Sequence, residues 1–145
     1  MRLIEPTSTS ELAQYYDLRW KVLRAPWKQP HGSEKDTLEA SSIHVMVLVD
    51  GDKPAGVGRL HFETIREARI RYMAVDSRYR HKGVGSLVLA ALEERALCMG
   101  ATGIVLDARE TALGFYSRKG YLPTGPGHML YDCIAHVKLV KQLTR

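Results

Sequence analysis

Cysteine is scarce in this chain. Its 145 residues include two, Cys98 and Cys133, which excludes a disulfide framework and zinc-ligand spacing and suits a reducing cytoplasm. Long apolar runs are missing as well. No stretch approaches the about 18 residues of a membrane span, and Met1 to Pro6 lacks the apolar centre of a signal peptide. A cytoplasmic location without membrane association is the expectation. Acidic residues are outnumbered, 16 against 21 Lys and Arg, giving a net charge of +5. That balance admits nucleic acid, an anionic surface or a phosphorylated small molecule as partner. Helix-turn-helix, zinc and aromatic ribonucleoprotein signatures are absent, so no nucleic-acid partner is expected. Two common phosphate-binding patterns are absent too. There is no Gly-x-x-x-x-Gly-Lys-Ser/Thr run, and Val88 stands where a dinucleotide fingerprint needs its third glycine.

What is present centres on Arg80-His81-Lys82-Gly83-Val84-Gly85-Ser86. It lies between an apolar run, Ile70 to Val75, and an amphipathic stretch, Ser86 to Met99, predicted as a helix. Strand, basic glycine loop and helix in that order build an anion cradle. The glycines let backbone N–H groups approach a ligand, and the helix start adds unpaired donors and the positive end of a dipole. Arg80, His81 and Lys82 add side-chain donors beside them.

The length suits a single domain over 1–145. A first strand, Met1 to Glu5, stops at Pro6, and Ser8 with Glu11 forms a capping box for a helix from Thr9 to Arg24. Its apolar stripe is Leu12, Tyr15, Tyr16, Leu18, Val22 and Leu23, with Arg19 beside it as a salt-bridge residue or a substrate contact. Pro26, Pro30 and Gly32 break the next segment, which carries Trp27, Glu34 and Asp36. Ile43 to Asp50 and Ala55 to Phe62 read as a hairpin, with His44 and His61 on its strands as structural residues. Ala68 to Val75 is the next strand, its alternation setting Arg69 and Arg71 on one face and Ile70 and Tyr72 on the other. On the following helix Val84, Val88, Ala91, Leu92, Ala96 and Met99 form the core stripe, ended by Gly100. Gly103 to Leu106 reads as a buried strand and Glu110 to Lys119 as a short helix. Tyr121-Leu122 and Leu130 to Leu143 read as the last hairpin, separated by a loop over Pro123 to Gly127.

Arg80-x-x-Gly83-x-Gly85 after a strand, followed by Ala112-x-x-Phe115-Tyr116-x-x-x-Gly120-Tyr121, resembles the GNAT (GCN5-related) N-acetyltransferases. Leu18 to Leu23 and Ile134 to Leu139 look like the ElaA-type branch of that family. The resemblance implies an α/β (α+β) GNAT fold: a mixed, mostly antiparallel seven-stranded sheet with helices on both faces and central strands splayed apart. It implies acetyl-CoA as cosubstrate, no metal, a primary amine of a small molecule or peptide as acceptor, and is compatible with a homodimer. It assigns cofactor contacts to Met73, Val75, Arg80, His81, Lys82, Gly83, Val84, Gly85, Ser86 and Phe115, and the role of catalytic acid to Tyr116.

The chemistry so implied is direct attack of an amine on a thioester. An alkylammonium of pKa about 10.4 is only about 0.1% neutral near pH 7.4, so a base is needed. Some relatives have a glutamate where Arg69 stands; here Glu63, Glu110, Asp107, His128 and His136 are all candidates. Arg109 replaces an asparagine that in many relatives contacts the pantetheine arm, and could reach a phosphate or the acceptor instead. Acids at Glu34, Asp36, Glu63 and Glu110 read either as a site for a cationic acceptor or as solvated surface. The missing glutamate and Arg109 also admit a second function, an acyl-CoA-binding sensor without turnover.

Overall fold

The structure is a computed structural model that describes residues 1–131 and 133–144. Strands β1 (Arg2–Ile4), β2 (Ile43–Val49), β3 (Lys53–Phe62), β4 (Glu67–Val75), β5 (Gly103–Arg109), β6 (Leu122–Leu130) and β7 (Ile134–Gln142) form one sheet in the order β1-β2-β3-β4-β5-β7-β6. Every neighbouring pair is antiparallel except β4 and β5. Helices α1 (Thr9–Leu23), α2 (Val84–Cys98) and α3 (Leu113–Arg118) complete the predicted order. No described helix is long and apolar enough to cross a membrane.

The sequence places each helix by a local device. Ser8 accepts from Glu11 N–H while the Glu11 carboxylate accepts from the N–H groups of Thr7 and Ser8. Such a box is worth about 1 kcal/mol and fixes where α1 begins. Helix α2 is set by glycines on the strand beneath it. A Cβ at Gly56 would stand 2.5 Å from Val84 Cγ1, and one at Gly58 would stand 2.7 and 2.8 Å from Val88 and Leu92 methyls. Only bare backbone lets α2 lie this close to β3, which fixes the start of the helix over the sheet. Val84, Val88, Leu89, Leu92 and Ala96 are the buried side of α2. Each fully buried Val or Leu contributes about 1.5–3 kcal/mol. Met99, predicted to belong to that stripe, is 52% exposed at the helix end, where Gly100 turns the chain away with a φ of 95°.

Two further expectations change. The Pro/Gly segment 123–127 is part of β6 rather than a loop, and the hairpin turns at 131–133, of which 132 lies outside the described residues. Strand β6 is the sheet edge, where proline's missing N–H breaks no ladder, and register shifts absorb the glycines. Strand β4 does not alternate cleanly. Val57 pairs with Ala74 and Arg59 with Arg71, so Gly58 of β3 faces two residues of β4, Tyr72 and Met73, a bulge with Tyr72 at a φ of 58°. The bulge reverses the phase of the strand. Ile70, Met73 and Val75 pack with the α2 core, while Ala74 packs with the α1 core and Tyr72 joins Arg71 rather than Ile70.

Candidate active site

Strands β4 and β5 pair over only three residues, Glu67–Arg69 against Gly103–Val105. Beyond Arg69 they part, and among the described residues no strand fills the gap. A cleft of about 290 Å³ opens there. Met73, Ala74 and Val75 line one wall, and Leu106 to Arg109 line the other. The end of α1 contributes Val22, Leu23 and Arg24; the β6–β7 hairpin contributes His128, Leu130 and His136. The backbone groups of Met73 and Val75 that an unbroken sheet would pair are thereby left beside the gap.

Arg80 reaches the cleft from the glycine loop. Asp76 begins that loop by accepting from Arg78 N–H at 2.9 Å, and His81 and Gly83 take left-handed φ of 62° and 85°. Gly83 is the N-cap of α2 and offers no side-chain cap, so the first-turn amides of Val84, Gly85 and Ser86 precede the first helical bond, Leu87 N–H to Gly83 C=O. Gly83 has open space where a Cβ would stand; Gly85 would meet the Phe115 ring at 3.5 Å and Val75 at 3.6 Å. The two sequence motifs therefore meet at Gly85 and Phe115. Lys82 instead lines a separate depression with Met1, Asp50 and Tyr79, and the Val84 side chain belongs to the core, leaving its amide for a ligand.

Tyr116 lies inside the cleft, 8% exposed, its ring edge-on to Phe115 and Tyr121. Its hydroxyl donates to Met73 Sδ at 3.3 Å, a thioether and hence a weak acceptor. Burial raises its pKa well above 10, so the phenol carries its proton at neutral pH.

Across the cleft, His136 stacks on His128 with ring centroids 4.1 Å apart. His136 Nδ1 lies 3.1 Å from His128 C=O and 3.2 Å from Ile134 C=O. Both partners only accept, so Nδ1 carries the hydrogen and the Nε2 lone pair is left free. Burial lowers the His136 pKa, and the neighbouring His128 and Arg109 lower it further against the two carbonyls. The ring is neutral at pH 7. Of the five candidate bases, His136 and His128 both line the cleft with Nδ1 on an acceptor and Nε2 unbonded among the described residues; His136 is the buried one, 9% exposed, whereas the His128 side chain is 43% exposed. Asp107 is held by His128 at 2.9 Å and Arg69 at 3.6 Å, Glu63 is bound by Arg69, and neither Glu63 nor Glu110 lines the cleft.

The acids read as a cationic acceptor site do not face the cleft. Glu34 accepts from Gly32 N–H, and Asp36 is engaged by Arg59 and Arg71. The end of α1, not the segment that carries these acids, lines the cleft. Arg19 is a salt-bridge residue, 2.9 Å from Glu39. His44 is structural, bonded to the Tyr15 hydroxyl and Glu39 C=O. Sequence reading passed over Glu39, Arg59 and Arg24. Arg59 was detectable as a charge on a strand whose neighbours Val57 and Leu60 are core residues.

The site is thus a cleft in a mostly antiparallel sheet, opened at its single parallel junction, with a protonated phenol inside and Arg80 at its edge. The model of the acetyltransferase (GNAT) family matches residues 12–121, and the chain belongs to that family. It is 30% identical over 141 residues to the uncharacterized N-acetyltransferase YjcF of Bacillus subtilis (strain 168), covering 97% of this chain and 99% of that protein. The crystal structure of a putative N-acetyltransferase from Lactobacillus plantarum superposes with a TM-score of 0.85 at 26% identity, covering 99% of this chain and 98% of that one. An aminoglycoside 6'-N-acetyltransferase complexed with coenzyme A shares the fold, with a TM-score of 0.80 at 18% identity over 100% and 99% of the two chains.

Proposed function

We propose that this protein is an N-acetyltransferase that transfers an acetyl group from acetyl-CoA to a primary amine by direct attack. One observation carries this reading: the sheet parts beside Met73 and Val75 with Tyr116 and Arg80 in the gap, and Gly85 in the first turn of α2 lies against Val75 and Phe115. The family and the coenzyme A bound to the aminoglycoside relative support it.

The cosubstrate supplies an acyl carbon activated as a thioester. Arg80 and the amides of Gly83 to Ser86 suit its diphosphate, with His81 and Lys82 as flanking charge. Backbone N–H groups at Met73 and Val75 orient the pantetheine arm and polarise the acyl oxygen, and such donors contribute about 3–4 kcal/mol to a barrier. Phe115 fixes the turn of the loop through Gly85. His136 Nε2 accepts a proton from the acceptor ammonium, and Tyr116 Oη gives one to the departing sulfur. The tyrosine acts as acid because burial keeps it protonated, the histidine as base because burial keeps it neutral.

Acetyl-CoA-dependent thiol release across a panel of amines tests the reading. Acceptor-dependent release is expected. Tight acetyl-CoA binding without release by any amine would favour the sensor function instead.

A further inference from the structure

The cleft is unusually cationic for a place that receives an amine. Arg24, Arg69, Arg71, Arg80 and Arg109 all line it, against one carboxylate, Asp107. Arg69 and Arg71 have acidic partners, Glu63 with Asp107 and Asp36 respectively. Arg24 and Arg109 have none among the described residues. Arg24 is 8% exposed and donates only to two backbone carbonyls, Ser33 C=O at 3.0 Å and Leu23 C=O at 3.2 Å. The Arg109 side chain is half-buried, and among the described residues its guanidinium forms no hydrogen bond or ion pair. The two are near enough that the charge of Arg24, after burial, lowers the pKa of Arg109. Two desolvated guanidiniums facing one cavity without a counter-ion are costly in the free protein, and a planar oxyanion relieves both.

The register locates this charge relative to the base. Arg109 on β5 pairs directly with His136 on β7. Directly paired residues share a sheet face with Cβ atoms about 5 Å apart. A ligand whose oxyanion meets Arg109 therefore has its near atoms beside the imidazole.

Resting on the acetyl-transfer reading above, we propose that the acceptor is a small amine that also carries a carboxylate or phosphoryl group a few bonds from its nitrogen, as an acidic amino acid does. Arg24 and Arg109 hold that oxyanion while His136 faces the amine. In the transfer, His136 takes one proton from the ammonium, the freed nitrogen forms a bond to the acyl carbon, the carbon–sulfur bond breaks as the sulfur takes the Tyr116 proton, and the second proton shed by the nitrogen returns to the Tyr116 oxygen.

Calorimetric binding of aspartate, O-phosphoserine, aspartate diamide and putrescine to the full chain, with coenzyme A present, tests the site without turnover. Aspartate or O-phosphoserine is expected to bind at least about tenfold more tightly than the diamide or putrescine, and the stronger of the two identifies the oxyanion. Arg24→Gln and Arg109→Gln should each weaken that anion about 10–100-fold, with the Kd for coenzyme A within about twofold. Should either glutamine variant fail to fold by circular dichroism, Arg109→Lys keeps the charge, loses the fork, and should weaken the anion about fivefold or more. Preferential binding of putrescine, or loss of coenzyme A rather than anion affinity in the variants, overturns the proposal. Acetylation of putrescine but not of the anionic amines overturns it while leaving acetyl transfer intact. Arginine-dependent anion binding with no thiol release from any amine keeps the oxyanion site and removes the acetyl-transfer reading beneath it.

Discussion

Two pairs of arginines, one enclosed by the protein and one lining the cleft, behave in opposite ways. Arg19 and Arg59 are both fully enclosed, and both donate to Glu39 Oε2, at 2.9 and 2.8 Å. Arg59 also holds Asp36 at 2.6 Å, and the Tyr72 ring lies 4.3 and 4.8 Å from the two guanidinium carbons. Only the two Nε atoms lack partners. Arg24 and Arg109, by contrast, face the cleft without a carboxylate. The first pair is saturated by the protein and ties α1 and 25–42 to the sheet. The second meets two carbonyls through Arg24 and no carboxylate among the described residues, and that separates a binding surface from a structural one. Charge alone does not mark a site; charge without its complement does.

The sharpest way to break this contrast is to open the closed pair. Glu39→Gln leaves two enclosed guanidiniums short of charge, and should cost about 3–5 kcal/mol of stability by urea denaturation. A loss under about 1 kcal/mol would show that the cluster is not the lock described. In the cleft, His136→Ala should lower kcat/KM by about 100-fold or more without changing the unfolding midpoint by a comparable amount. Tyr116→Phe should lower turnover about 10–100-fold with coenzyme A affinity preserved, and unchanged turnover would remove the phenol from the chemistry.

Acid separates the two regions. The base must be neutral, so activity should fall as pH drops through the His136 pKa, which lies below the ordinary 6.5. Burial alone would raise the Asp36 pKa, but hydrogen bonds from Arg59 and Leu38 N–H, with the charges of Arg59 and Arg71, hold it far below 3.8. A carboxyl depressed in the fold stabilises fully above its unfolded value and loses that contribution as pH falls toward the folded one. Activity should therefore vanish at a pH where circular dichroism still reports the native state. Coincident loss would contradict the assignment of either group. The smallest effect is the most pointed: Arg109→Met should leave stability unchanged or raise it by up to about 1 kcal/mol, where Arg59→Met should lower it.

The frame of the fold was legible because periodicity and caps report local geometry. Ser8 and Glu11 mark α1, Gly83 and Gly100 bound α2, and the loop with Phe115-Tyr116 announces the cleft. What stayed hidden depends on contacts distant in sequence. The Tyr72 bulge is invisible to a period of two, so Tyr72 was assigned to the face opposite Arg71. Gly56 and Gly58 look like weak strand residues until α2 lies on them. The acids at 34 and 36 read as free because their partners, Gly32 N–H and Arg59, are assigned only by the fold. His136 could not be separated from the other candidate bases until the fold buried it in the cleft with its Nδ1 occupied, His128 sharing the cleft but standing more exposed.

The most direct measurement titrates acetyl-CoA calorimetrically into the wild-type chain and into Gly85→Asp. An aspartate in the first turn of α2 favours the helix and has ordinary van der Waals room, yet sets charge where the diphosphate belongs. Binding to the wild type at tens of micromolar or tighter is expected, and its loss in a variant with an unchanged thermal midpoint. An absence of wild-type binding at that concentration, or equal binding by both chains, would contradict the cleft as the acetyl-CoA site.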